Sequence, residues 1–239
     1  MFGGERTKRE EFAKVVDGAR VADTLDYHAA IEAHRAATAS WEWYVRVANG
    51  VNARDVSAYQ AVLSEFKLFE ELQDLGVTVI VDELQPNAAA FHVKVRDMGI
   101  LPELDLKVTT SGKVSQKAMP KGRAMEIYEA YVCGTCFRVV REVLAVLPIA
   151  RVIVNVRVTS LDASTGHHVP VVLLGASVLR ETVSRINFDR CDPTEALSHF
   201  DHRMNFKKST GFEPVEPVTF EDQFVHDAGK RRGAKGAKT

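Results

Sequence analysis

The chain has no long apolar run. No stretch approaches the ~20 consecutive apolar residues of a membrane-spanning helix, so no membrane partner is expected. It has no signal-like start either: Met1 to Glu11 is charged and carries no apolar h-region. Cysteine is scarce. Three in 239 residues is an odd count, which fits a reducing compartment better than a disulfide scaffold. Together these absences predict a cytoplasmic protein. An excess of one charge is also missing. With 31 Lys and Arg against 32 Asp and Glu, the surface as a whole is not a nucleic-acid footprint. No internal repeat is visible. Gly3-Gly4 and the glycines of the C-terminal tail lack the strand–turn–helix context of a phosphate loop, and no Ser/His/Asp arrangement stands out.

What the chain does have is a clear core, centred on Pro120 to Ser160. Pro120 suits a helix start, where a missing N–H does no harm. From Met125 to Leu147 apolar residues point in nearly every direction, the mark of a buried helix. Pro148 stops it. Val152, Ile153, Val154, Val156 and Val158 then read as a strand near the centre of a sheet.

Residues 1–76 read as a helical arm. From Tyr27 to Ala48 one face carries Tyr27, Ile31, His34, Thr38, Trp41, Val45 and Ala48, spaced four and three like a helix–helix seam. Gly18 is expected to break the arm, leaving Lys8 to Val16 as a separate piece. Asn49-Gly50 is expected to end the seam helix. A second helix, from Asp55 to Leu75, would complete a helical hairpin. Residues 77–220 read as an α/β core. Val77 to Val81, Phe91 to Val95, Leu104 to Val108 and Lys113 to Lys117 give strands, with turns at Gln85-Pro86-Asn87 and Ser111-Gly112. His168 to Val178 gives another strand. Short helices fit Leu179 to Ile186 and Asp192 to Phe200, and beyond Asp201 the pattern dissolves. Residues 221–239 read as a disordered basic tail, with five basic residues from Lys230 to Thr239. The expected fold class is therefore α/β (α+β): an N-terminal helical hairpin, then a mixed sheet of about five to six strands on a long central helix.

Several groups bear on chemistry. Asp105-Leu106-Lys107 places an acid and a lysine on one face of a strand. This tripeptide, with the order helix, three strands, helix, strand, resembles the core of PD-(D/E)xK nucleases. That resemblance implies a Mg²⁺ or Mn²⁺ ion shared by Asp97 and Asp105, with Glu71 as a third acid and Lys107 stabilising developing charge. Glu65-Phe66-Lys67 repeats the same pattern, and a cross-strand ion pair on a solvated face is the alternative. Cys133-Gly134-Thr135-Cys136 is a C-x-x-C. With Val169-Pro170 before an apolar strand, it looks similar to thioredoxin-like redox proteins; simple core packing is the alternative. Cys191 and nearby histidines match no standard zinc spacing.

The histidines His167, His168, His199, His202 and His226 offer a pair three apart at His199 and His202. Arg203, Phe206, Lys207, Lys208 and Phe212, with the tail, mix bases and aromatics as a nucleic-acid surface does. The same mix suits a loop pinned by its Phe residues. Trp43 and Tyr44 lie beside Trp41 on the arm, which gives it a second aromatic surface. With no strong catalytic constellation, the leading expectation is a protein that acts through a protein partner or self-association, using the helical arm. The metal-dependent nuclease and the thiol-redox protein stand as alternatives.

Overall fold

A computed structural model describes residues 3–108, 110 and 112–222, with side chains from residue 7 onward. The predicted disordered tail, but for residues 221 and 222, and His226 lie outside the described residues.

Helix α1, Gly3–Asn52, is a single helix of 50 residues. It runs through both expected breaks. One glycine costs a helix interior about 1 kcal/mol relative to alanine, and good helix formers stand on either side of Gly18, Ala13 and Lys14 before it and Ala19, Arg20 and Ala22 after it. At Asn49-Gly50 the helical hydrogen bonding simply continues, Ala53 N donating to Asn49 O at 2.9 Å. The chain divides into two compact units after Ala53. Helix α1 is the first. Helices α2 (Val56–Glu65) and α3 (Glu70–Asp74) belong to the second, with the sheet. The single helix expected over Asp55 to Leu75 is interrupted, because Lys67 takes a positive φ of 46°.

The second unit continues with β1 (Thr78–Gln85), β2 (Ala88–Lys94), β3 (Leu104–Val108), β4 (Val114–Ala118) and α4 (Lys121–Val146). After these come β5 (Arg151–Leu161), β6 (His168–Leu179), α5 (Arg180–Val183), α6 (Pro193–Ala196), β7 (Asp201–Lys207) and β8 (Gly211–Glu213). Six strands form one mixed sheet in the order β1-β2-β5-β6-β7-β8. Its one parallel pair is β2 with β5; the other neighbours are antiparallel. Strands β3 and β4 pair only with each other, so the expected third and fourth strands form a separate hairpin. The segment beyond Asp201, where no pattern was expected, supplies β7 and β8.

Residues 152–156 of β5 are buried on both faces. Val156, Leu174 and Met204 form one row across β5, β6 and β7. Met204 meets Cys133 at 4.0 Å between sulfurs, which places α4 on that face. Tyr59 of α2 donates to Pro86 O at 3.0 Å, and Phe69 meets Phe91 edge to face at 6.1 Å, so the short helices cover the β1–β2 end.

Residues 214–222 have no regular structure and run as a strap over the opposite face. Val218 packs on Ala90 and Ile153 there, with Phe220 beside them. Asn155, on the same face as Ile153, binds the strap backbone. Gly175 lies opposite Asn155 in the register, where a Cβ would fall 2.8 Å from Asn155 Oδ1 and 3.1 Å from Val218 N. Only a residue without a side chain lets the strap come that close.

Candidate functional site

Helix α1 carries a row of exposed apolar side chains. Tyr27 and Trp41 are each 64% exposed and Val45 is 38% exposed; Ile31, between them in the seam, is half-buried. Toward the N-terminus Phe12, Val15, Val16, Val21 and Leu25 are exposed as well. Trp43 and Tyr44 pack edge to face at 5.0 Å. Across residues 5–52 the helix holds seven Lys and Arg against eight Asp and Glu. Glu32 and Arg35 pair at 2.7 Å along the helix surface.

The nuclease-like residues are distributed as follows. Asp105 and Lys107 face the same way on β3 and pair at 3.2 Å. Asp97 instead caps the short turn at Met98–Ile100, accepting from Gly99 N at 3.0 Å. Glu71 pairs with Arg138 of α4. Strand β3 stands outside the six-stranded sheet. Among the described residues no group of three or more His, Cys, Asp or Glu is placed to hold a metal ion.

Cys133 and Cys136 sit inside α4, both fully buried. The N-terminal turn that activates a thiol in redox helices is three turns away. Burial pushes the Cys133 thiol up to about 12, with Glu129 adding to the effect. Burial pushes Cys136 in the same direction. Both thiols are therefore protonated at neutral pH.

The histidines do not converge. His167 and His168 are exposed; His199 lies in a short 3-10 turn and His202 in β7, with His202 Nδ1 2.9 Å from Phe200 O. The basic segment is occupied by its own neighbours. Arg203 pairs with Asp222 at 2.5 Å, Lys207 with Glu213 at 2.7 Å and Lys208 with Glu126 at 2.7 Å. Phe206 and Phe212 pack together at 5.0 Å, and Phe212 meets Tyr128 at 5.8 Å. Beside Lys208, partial burial raises the Glu129 carboxyl; Lys208 pulls it back, and Asp192, Glu126 and Glu195 raise it further.

A cavity of about 810 Å³ opens along the outer side of α4. Phe137, Leu144, Val183 and Phe188 are among its walls, and Arg141 lies over the Phe188 ring at 5.2 Å. Sequence reading missed it. The available signal was Arg138, Arg141 and Glu142 close together in the apolar second half of the helix, together with Phe188 in a polar loop.

No family model, curated protein or solved structure matches this chain. No described helix is long and apolar enough to cross a membrane.

Proposed function

We propose that the chain acts through protein contacts and self-associates through α1. The observation that carries this reading is the exposed apolar seam on a helix of 50 residues. At 1.5 Å per residue such a helix spans about 75 Å. Isolated helices in water are marginal, and long ones draw most of their stability from covering an apolar face. The seam steps by four and three from Tyr27 to Ala48, the spacing that lets two copies interlock.

Charge supports a second copy as the partner. The near-balance of acid and base along α1 lets identical helices pair without net repulsion. Tyr27 and Trp41 supply the large apolar anchors that dominate association energies.

Light scattering on the full chain, compared with Trp41→Glu/Val45→Glu, tests the proposal. The expected result is a dimer or larger assembly for the parent and a monomer for the double variant. The substitutions lie on an exposed helix face, so the sheet unit keeps its thermal midpoint. A monomeric parent, or an unchanged assembly in the variant, overturns the reading.

A further inference from the structure

The geometry points to the cavity beside α4 as a binding site for a small monoanion with an apolar body, such as an aryl or alkyl carboxylate or sulfonate. The cavity is built entirely from the second unit, so this inference is independent of α1.

Its volume, about 810 Å³, is that of a site for a small organic ligand. The walls are chiefly apolar: Phe137, Leu144, Ala145, Val183, Phe188 and Pro193. Four charged side chains line it, namely Arg138, Arg141, Glu142 and Arg180. Three of them are already engaged. Arg138 pairs with Glu71 and lies 4.0 Å from Glu142. Arg180 closes the C-terminal end of α4, donating to Ile149 O at 2.7 Å, to Leu144 O at 2.9 Å and to Leu147 O. Among the described residues Arg141 has no carboxylate partner. Its guanidinium lies over the Phe188 ring at 5.2 Å, a cation–π contact that engages the face of the group and uses none of its N–H donors.

Arg180 spends its donors on backbone carbonyls, so among the described residues Arg141 is the cavity cation with N–H donors left over, and one such group beside apolar walls suits one anionic group on an apolar body. Inorganic phosphate has no apolar body to meet these walls, and a neutral ligand forgoes the hydrogen bond from Arg141. Gly134 opens the wall on the α4 side. A Cβ there meets nothing within 4 Å, so a larger side chain projects into the cavity without striking the core.

Two fluorescent probes of nearly the same shape test the site on the full chain: anilinonaphthalene sulfonate, and phenylnaphthylamine, which lacks the sulfonate. The parent is expected to bind both. Arg141→Gln weakens the sulfonate probe about tenfold or more, the worth of one charge-assisted hydrogen bond, and leaves the neutral probe unchanged. Gly134→Leu intrudes on the cavity from the α4 side and weakens both probes. Ala145→Phe does the same from another part of the wall, should Gly134→Leu lower the thermal midpoint. The inference is overturned by equal sulfonate affinity in the parent and Arg141→Gln. It is also overturned by sulfonate affinity unchanged in both Gly134→Leu and Ala145→Phe, or by no binding of the sulfonate probe to the parent.

Discussion

Asn155 holds the backbone of Val218 on both sides of its Cα: its Nδ2 donates to Val218 O at 2.9 Å, and its Oδ1 accepts from Val218 N at 2.8 Å. This pair fastens the strap to the sheet face opposite α4. It satisfies a buried side-chain amide and two backbone groups at once, which is how a polar residue is tolerated in a strand of valines. Arg151 adds a second clasp, stacking over Phe220 at 5.1 Å and donating to Phe220 O at 3.0 Å.

Removing the Asn155 amide should therefore be costly. Asn155→Ala leaves the N–H and C=O of Val218 buried without partners, and we expect a loss of about 2–4 kcal/mol in urea unfolding. Gly175→Ala should cost about 1–3 kcal/mol, because its Cβ enters a filled space. The double variant should cost less than the two losses added, since Asn155→Ala empties part of that space. Full additivity would mean that the two residues do not share one site.

The strap should also loosen in acid. The Asp222 carboxyl is held below its ordinary value, first by the backbone N–H of Thr219 at 2.7 Å and then by Arg203. A carboxyl lowered in the folded state takes up its proton more readily when unfolded. Its contribution is complete above the unfolded value of about 3.9 and is lost as pH falls through the lower folded value. Asp55, Asp162 and Asp192 are lowered in the same direction, so the parent's urea midpoint falls in acid for several reasons. The Asp222 share is the difference between parent and Asp222→Asn. That difference should be constant at neutral pH and should shrink as the pH drops below about 4.

Thiol reactivity should separate the three cysteines. Cys191 is half-buried, whereas Cys133 and Cys136 are fully buried with raised thiols. Iodoacetamide on the native chain should label Cys191 alone, with all three labelled in denaturant, as counted by mass. Rapid native labelling at Cys133 would mean that α4 opens locally and would revive its candidacy as a redox thiol.

The sequence by itself determined the elements whose signals are local. Pro120 and Pro148 bound α4, which runs Lys121–Val146. The valine run from Val152 marked a strand buried on both faces, and Gln85-Pro86-Asn87 marked the β1–β2 turn. The seam on α1 was legible from its spacing. Only the tertiary structure decided the rest, because there the partners are distant in sequence. Strand β7 reads as charged, yet it joins the sheet, since Asp222 neutralises Arg203 from 19 residues away. Leu104 to Val108 reads as a sheet strand, yet it pairs only with β4 and stands outside the six-stranded sheet, where β5 is the neighbour of β2. The Arg141 cavity needs α4, α5 and the loop to Pro193 brought together. Periodicity reports which face of an element is apolar; it carries no information on which neighbour covers that face or where a gap is left.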